Sequence, residues 1–293
     1  MRRTVLIMAS LLALSQPLAV AAETIPAAVI SDPAPDTKFP ARLEVVHVPT
    51  GGVKINGIAY VASGPGPHPV FVFFHGLPGN EKNLDLVQSV RRAGWTALAV
   101  NYRGSWGSPG SYRFAHNLED AAAVLAFVRD PANAKALNMD PSRIVIAGHS
   151  MGGWVVAHTA SRDHGLLGAV MISAGDMGTI GGMARPFLIT KMATSKESLA
   201  DVTPESMADE LIANHEQWTF AKAAPGLKDT RLLVFTSDDG YGPQSDALTA
   251  AIKAEGGNRV SEIHGTTDHS WSDRRIALQS QVVTWLQGLV AKP

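Results

Sequence analysis

GHSMGG, at residues 148–153, lies between two apolar runs: IVIA at residues 144–147 precedes it and WVVA at residues 154–157 follows it. A single serine, Ser150, is therefore flanked by glycines at the point where a predicted strand becomes a predicted helix. Glycine suits such a sharp turn because a Cβ would clash with the neighbouring backbone. The pattern G-x-S-x-G between a strand and a helix is typical of an exposed nucleophile.

Strand and helix patterns alternate along the rest of the chain. The run PVFVFF at residues 69–74 is apolar at nearly every position, as in a strand that is buried on both faces. Further strands are predicted at residues 42–48, 53–61, 96–100, 143–147, 168–173, 231–236 and 259–263. Helices are predicted at about residues 81–93, 117–130 with Asn117 as cap, 151–163, 244–255 and 272–289. This alternation predicts an α/β fold with a mostly parallel central sheet and helices on both faces.

Residues 176–229 interrupt this alternation, since they contain no convincing buried strand. A helix is predicted to start at Thr203 and Pro204, which form a cap followed by a proline. The segment also carries the large apolar side chains of Met192, Trp218 and Phe220, which are candidates for a substrate pocket. We expect a helical lid over the strand ends. The alternative is a set of extra helices that pack on the core and never contact a substrate.

The amino-terminal residues 1–22 have the layout of a secretory signal peptide: two arginines, a short apolar stretch and then small residues. A membrane anchor is the alternative, but the apolar stretch is short for a bilayer, which requires roughly 20 residues. We therefore expect an exported protein, periplasmic or extracellular, with no stable membrane span after cleavage. Residues 23–40, rich in Ala, Pro and Asp, are predicted to form an irregular arm.

Composition narrows the classes of function. The net charge is −1 and charges of both signs are spread along the chain, so there is no basic stripe to indicate nucleic-acid binding. Cysteine is absent, which excludes disulfides, thiolate metal ligands and a cysteine nucleophile. The ten histidines include no His-Glu-x-x-His pair. No metal and no cofactor are predicted.

From about residue 42 to its end the chain resembles the α/β-hydrolase superfamily of serine hydrolases, on the basis of the GHSMGG turn and its flanking elements. The resemblance implies one α/β-hydrolase domain at residues 41–293, with the lid as an insertion at about 176–229. It also implies a catalytic triad in the chain order Ser, Asp, His. Ser150 would be the nucleophile.

The acid and the base of the implied triad follow the last two strands. Asp239 is the preferred acid, because a Pro follows the family's acid by four positions and Pro243 does so here; Asp238 is second and Asp176 a further alternative. His269 is the preferred base. His264 is its local competitor, whereas His149 normally points away from the nucleophile in related proteins.

Two backbone N–H groups are implied as the oxyanion hole. One belongs to Met151, and the other to Leu77 in the stretch HGLPG at residues 75–79, which resembles the family's HG-x-x-G element. The loop at residues 101–110 also looks family-like: Trp106 is a candidate substrate contact, and Arg103 is predicted to pin loops.

The resemblance implies a hydrolase of small-molecule carboxylic esters that forms an acyl-enzyme, and the predicted signal peptide makes it a secreted one. A short-peptide or aminoacyl hydrolase of prolyl oligopeptidase type, acting on amides, is the first alternative, although the chain has no room for the large domain that filters peptides in those enzymes. A non-catalytic, hydrolase-like binding protein is the second alternative. Dehalogenase chemistry is disfavoured because those relatives place Asp where this chain has Ser150.

Overall fold

The structure is a computed structural model that describes residues 24–291. The predicted signal peptide, residues 1–22, lies outside the described residues. Eight strands form one sheet: β1 (Arg42–Thr50), β2 (Val53–Val61), β3 (His68–Phe74), β4 (Thr96–Val100), β5 (Met139–His149), β6 (Gly168–Ile172), β7 (Leu232–Ser237) and β8 (Val260–Gly265). All eight predicted strands are therefore confirmed.

Helices occupy most of the connections between these strands. They are α1 (Ala27–Ile30), α2 (Leu84–Arg92), α3 (Phe114–Arg129), α4 (Pro131–Ala136), α5 (Met151–Ala160), α6 (Met177–Gly181), α7 (Arg185–Ala193), α8 (Pro204–Asn214), α9 (Phe220–Ala223), α10 (Gly242–Ala254) and α11 (Arg275–Val290), and a 3₁₀ helix spans Ala224–Leu227. The four-residue helix α1 lies in the segment that was predicted to be an irregular arm, where it packs on α2 and α11.

The sheet is mostly parallel, as predicted. Its strand order is β1-β2-β4-β3-β5-β6-β7-β8. β1 and β2 form an antiparallel hairpin in which Thr50 pairs with Val53, and β2 also pairs antiparallel with β4. Every other neighbouring pair is parallel. The carboxyl ends of β3, β5, β7 and β8 therefore lie at one edge of the sheet, where ligands bind in folds of this class.

Two apolar layers cover the sheet, one on each face. One layer packs β-strand side chains against α3, α5 and α10, and the other packs them against α2 and α11. β3 is buried along its whole length, which explains why its sequence is almost continuously apolar. Burying one Val, Leu, Ile or Phe side chain contributes about 1.5–3 kcal/mol. The apolar layers thus stabilise the sheet that carries this edge.

The start of α3 differs from the prediction. The helix begins at Phe114, after Arg113 as its N-cap, and Asn117 lies within its first turn instead of capping it. The reason is that Phe114 is fully buried in the core, which extends the helix by a turn. The amide of Asn117 is used in packing instead, because its Nδ2 donates to the Tyr112 hydroxyl at 3.0 Å.

The insertion, residues 176–229, is helical, as predicted. It contains α6, α7, α8, α9 and the 3₁₀ helix, and α8 starts with a capping box at Thr203 and Ser206. α8 packs on both α6 and α7. That the insertion moves as a lid remains a prediction. Among residues 24–291, no helix is both long and apolar enough to span a membrane.

Candidate active site

Ser150 occupies a strained turn between β5 and α5. Its backbone has φ 58° and ψ −122°, a conformation that costs a non-glycine residue about 1–3 kcal/mol. Glycines surround it because there is no space for side chains: a Cβ on Gly148 would lie 2.2 Å from the Gly152 carbonyl oxygen. A Cβ on Gly152 would lie 2.1 Å from the Phe74 carbonyl oxygen. The close packing of these backbones holds the serine at the tip of the turn.

His269 and Asp239 form a hydrogen-bonded pair. His269 Nδ1 lies 2.7 Å from Asp239 Oδ2, and the Asp239 side chain is only 3% exposed. The other carboxylate oxygen accepts the backbone N–H of Tyr241 at 2.8 Å. Burial acts to raise the pKa of Asp239, but the hydrogen bonds from His269 and Tyr241 outweigh it, so this pKa lies below its usual value. An ionised Asp239 can orient the His269 ring and stabilise its protonated form.

The alternative acids have other partners. Asp238 is half exposed, and its Oδ1 accepts a hydrogen bond from Nε2 of His264 at 3.2 Å. The alternative acid is therefore paired with the alternative base. Asp176 caps α6: its Oδ1 accepts the Gly178 N–H at 3.0 Å, and its Oδ2 accepts the Phe220 N–H at the same distance. The structure therefore brings Asp239, and neither alternative, to His269.

His149 supports the loop that carries His269. Its Nε2–H donates to the His269 backbone carbonyl at 2.8 Å, and the two imidazole rings are 4.6 Å apart. Burial lowers the pKa of His149 to about 4, with a further contribution from His269. His149 is thus neutral at pH 7 and serves as a hydrogen-bond donor to the loop.

Leu77 and Met151 are the two residues predicted to donate their backbone N–H groups to an oxyanion. In the described part of the chain, neither backbone N–H has a hydrogen-bond acceptor. The Leu77 loop comes close to the serine, since a Cβ on Gly76 would lie 2.9 Å from the Ser150 Cβ. The Met151 side chain is fixed by the Tyr112 hydroxyl, which donates to its sulfur at 3.1 Å. Two free donors beside Ser150 can receive a developing oxyanion.

A cavity of about 210 Å³ lies over Ser150. The sheet edge contributes Leu77, Ser150, Met151, Gly175, Tyr241 and His269 to its lining. The insertion contributes Met177, Ile180, Lys191, Met192 and Ser195. The predicted nucleophile, base and both N–H donor residues thus line one small cavity. No cluster of acidic or histidine side chains that could hold a metal ion occurs within residues 24–291.

A model of the alpha/beta hydrolase family matches residues 71–287 of this chain. The chain belongs to the α/β-hydrolase family. The match runs from β3 to α11, so it includes the cavity-lining residues of the sheet edge and those of the insertion.

Solved structures of esterases share the fold of this α/β-hydrolase. A thermophilic and thermostable carboxylesterase cloned from a metagenomic library aligns with a TM-score of 0.65 at 20% identity, over 90% of this chain and 92% of its own. The Pyrobaculum calidifontis esterase aligns with a TM-score of 0.65 at 19% identity, over 87% and 88% of the two chains. A highly thermostable carboxyl esterase from Bacillus coagulans gives 0.66 at 13% identity, over 86% and 99%.

Curated relatives of the α/β-hydrolase include the multifunctional-autoprocessing repeats-in-toxin proteins of Vibrio cholerae serotype O1 and Vibrio vulnificus. Each is 28% identical over 200 residues, which is 66% of this chain. The matched region spans only 4% of the length of either toxin.

Three of the predicted pocket residues of this α/β-hydrolase do not line the cavity; Met192 alone does. Trp218 is in the core, with its ring 5.2 Å from that of Trp154, and its carbonyl accepts the Trp154 indole N–H at 2.8 Å. Phe220 is also in the core, 2% exposed. The insertion folds these two side chains inward because they have apolar partners on α3 and α5.

Trp106 is 37% exposed and contacts the Leu77 loop instead of the cavity. Its indole N–H donates to the Pro78 carbonyl at 2.7 Å, and its ring lies under the Lys82 ammonium. Arg103 of the same loop is held by the fully buried Asp120, at 2.6 Å, and pins the loop to α3 as predicted.

Lys191 and Tyr241 line the cavity and were not foreseen from the sequence. Lys191 directly precedes Met192, and Tyr241 follows Asp239 by two residues. Proximity to a predicted site residue was the available signal. It was weak, because neighbours along a helix point to different faces.

Proposed function

We propose that this α/β-hydrolase is an exported serine hydrolase that cleaves small-molecule carboxylic esters through an acyl-enzyme. The observation that carries the proposal is the arrangement around one cavity. Ser150, on its strained turn, shares the cavity with His269, whose other ring nitrogen is bonded to the buried Asp239. The backbone N–H groups of Leu77 and Met151, which have no acceptor within residues 24–291, complete the arrangement.

In the first half of the proposed reaction, Ser150 Oγ attacks the ester carbonyl carbon while His269 Nε2 takes the hydroxyl proton. The carbonyl oxygen becomes an oxyanion, which accepts hydrogen bonds from the N–H groups of Leu77 and Met151. One such donor is worth about 3 kcal/mol of transition-state stabilisation. The C–O bond to the alcohol then breaks, and His269 returns the proton to the leaving oxygen.

In the second half, water attacks the acyl-Ser150 carbonyl carbon and gives one proton to His269. The tetrahedral intermediate uses the same two N–H groups. Its collapse breaks the bond to Ser150 Oγ, which regains the proton from His269, and the carboxylic acid leaves. Asp239 stabilises the imidazolium that forms in both halves, without itself taking the proton.

The size of the cavity favours small acyl groups. Sites for drug-sized ligands occupy about 300–1,000 Å³, whereas this cavity measures about 210 Å³. Its walls are formed by side chains such as Leu77, Ile180 and Met192, which suit a short apolar chain.

The test is hydrolysis of p-nitrophenyl esters from acetate to palmitate by the mature protein and by Ser150→Ala. We expect activity on the shorter esters and at least a 10³-fold loss in the variant. Ser161→Ala is the matched control, since Ser161 follows the far end of α5, and it should retain full activity. Cleavage of dipeptide anilides without ester hydrolysis would favour the peptidase alternative. Failure of a serine-reactive phosphonate to label Ser150 would favour the binding protein.

Export is the second part of the proposal and rests on the amino-terminal sequence. Expression of the whole chain in a Gram-negative host, followed by fractionation and intact-mass measurement, tests it. We expect a product in the periplasm or medium that begins after Ala21 or Ala22. A cytoplasmic product that retains the first 22 residues would contradict export and leave the chemistry untouched.

A further inference from the structure

Lys191 places a positive charge in the cavity over Ser150. It lies on α7, and its ammonium donates to the Tyr241 hydroxyl at 3.0 Å. No carboxylate within residues 24–291 forms an ion pair with it. The cavity lining includes neither Asp nor Glu, and the nearby Asp239 carboxylate is buried against His269. The charge of Lys191 is therefore available to a bound molecule.

Tyr241 has a fixed position relative to the candidate base. Its backbone N–H donates to Asp239 at 2.8 Å, and its ring centre lies 5.4 Å from that of His269. The Lys191 ammonium also lies 5.7 Å from the centre of the Tyr241 ring. Lys191, Tyr241 and His269 thus form a row along one wall of the cavity.

Two polar groups of this row, the Lys191 ammonium and the Tyr241 hydroxyl, have hydrogen-bond donors without an acceptor in the described part of the chain. A lysine ammonium has three N–H donors, and Tyr241 takes only one of those on Lys191. Because the Tyr241 oxygen accepts that bond, its own O–H is directed elsewhere, and it has no acceptor in the described part of the chain. The cavity lining also includes apolar side chains such as Leu77, Ile180 and Met192. A charged donor close to apolar side chains favours an anionic partner, since a partly buried charge without one is costly.

We propose that the cavity selects esters that carry a carboxylate, and that Lys191 and Tyr241 bind this carboxylate while the ester carbonyl lies at Ser150. One N–H of Lys191 and the O–H of Tyr241 would each donate to one carboxylate oxygen, and the 3.0 Å between the two donor atoms suits two oxygens of the same group. The inference rests on the proposed esterase function. It adds a substrate class: short hemi-esters or esters of hydroxy acids.

The activity test compares esters that differ only in charge. Monomethyl adipate, with its carboxylate in the acyl part, is paired with methyl adipamate, in which a carboxamide replaces that group. 4-Acetoxybutanoate and 4-acetoxybutanamide form the same pair for the alcohol part. We expect the wild type to favour one or both anionic esters about 30-fold in kcat/KM, the range of a hydrogen bond to a charged group.

Variants assign this preference to the two residues. Lys191→Met should lower the ratio of anionic to neutral kcat/KM at least 10-fold, and Tyr241→Phe should lower it about 3-fold or more. Lys191→Arg should keep most of the preference. Lys196→Met is the matched control because Lys196 is an exposed lysine of the same insertion, and its ratio should equal that of the wild type. Equal rates on both members of each pair, or an unchanged ratio in Lys191→Met, would overturn the inference while the esterase function stands.

Binding separates the inference from the proposed function. Calorimetry of monomethyl adipate and 4-acetoxybutanoate with the Ser150→Ala protein should show binding that weakens at least 10-fold when Lys191→Met is added. If the wild type hydrolyses no ester but this Lys191-dependent binding is found, the site stands and the esterase proposal falls. Binding that does not depend on Lys191 would remove the site.

Discussion

The indole N–H of Trp106 donates to the backbone carbonyl of Pro78, 2.7 Å away, and so joins the loop after β4 to the loop that carries Leu77. Trp106 has a left-handed backbone, φ 50°, which is strained for a bulky residue. The backbone N–H of Trp106 donates to the backbone carbonyl of Ser198, in the insertion, at 3.1 Å. Trp106 therefore ties the loop that carries Leu77 to the insertion, and we predict that it positions the Leu77 N–H.

Trp106→Phe removes the hydrogen bond to Pro78 and keeps most of the ring. We expect kcat on short esters to fall about 5-fold with KM nearly unchanged, since one hydrogen bond contributes about 0.5–1.5 kcal/mol and the Leu77 donor acts on the transition state. Steady-state kinetics measure the split. Trp285→Phe on α11 is the control and should match the wild type; a rise in KM alone for Trp106→Phe would make Trp106 a substrate contact.

Asp239→Asn should lower kcat roughly 10⁴-fold, because an amide no longer stabilises the His269 imidazolium or selects its tautomer. Steady-state kinetics on a short ester measure the loss.

Asp239→Asn should also change how the free energy of unfolding depends on pH in acid. The pKa of Asp239 is lower in the folded protein than its ordinary value of about 3.9, so its contribution to stability is present above that pH and is lost as pH falls below it. Urea titrations from pH 7 to pH 3 should show a smaller loss for the variant. An equal loss in both proteins would contradict the assignment.

Three buried histidines predict a second pH range, above that of Asp239, in which acid destabilises the fold. Burial lowers the pKa of His75, His149 and His158 to about 4 each. Between pH 4 and about 6.5 the unfolded chain takes up protons that these folded side chains do not, so the free energy of unfolding falls as pH falls through this range. Each histidine contributes at most roughly 3 kcal/mol to that loss.

His158→Gln tests this window away from the cavity, because Gln retains a donor for the Trp218 carbonyl that His158 bonds at 3.0 Å. Urea unfolding at pH 7 and pH 4.5 should show a smaller difference for the variant than for the wild type. Identical differences would show that His158 takes up a proton in the folded state.

Gly152→Ala should destabilise the protein by about 3 kcal/mol or more, the upper range for overpacking, because its Cβ would lie 2.1 Å from the Phe74 carbonyl oxygen. Gly288→Ala provides the opposite case. A Cβ there meets no atom within 4 Å, and Ala is favoured over Gly in a helix by about 0.5–1 kcal/mol. Thermal unfolding should therefore give a lower Tm for the first and a slightly higher Tm for the second. A stable Gly152→Ala protein would mean that the turn can open.

Two variants distinguish a side chain that lines the cavity from one that belongs to the core: Met192→Trp and Trp218→Phe. Met192 lines the cavity, so a larger side chain should shift the preference toward acetate over longer esters. Trp218 packs on Trp154, so its truncation should lower the free energy of unfolding by about 1–3 kcal/mol and leave the chain-length preference unchanged. A changed chain-length preference in Trp218→Phe would show that Trp218 does contribute to the substrate pocket.

The elements of the fold could be predicted because each strand of the buried sheet carries a local signal. β3 and β5 are apolar runs that end in glycine-rich turns, and the sheet edge follows from their alternation with helices. The spacing from Asp239 to Pro243 also has a local origin, since the proline occupies the first turn of α10, directly after the loop that carries Asp239.

The orientation of the insertion's side chains could not be predicted. Met192 and Trp218 are both large and apolar, and only the packing of Trp218 on Trp154 distinguishes core from cavity. The pair of Lys191 and Tyr241 is separated by 50 residues in the chain, so no pattern of neighbouring residues indicates it. Such contacts depend on how the insertion packs on the sheet, which local periodicity does not encode.

The left-handed backbone at Ser150 also affects how the protein fails under heat. This turn persists only because the carbonyl groups of Phe74 and its neighbours pack tightly around it. A slight loosening at the sheet edge would let the serine relax to an ordinary conformation while the apolar layers on both faces of the sheet stay intact. We therefore expect heating to abolish the proposed activity before it unfolds the sheet.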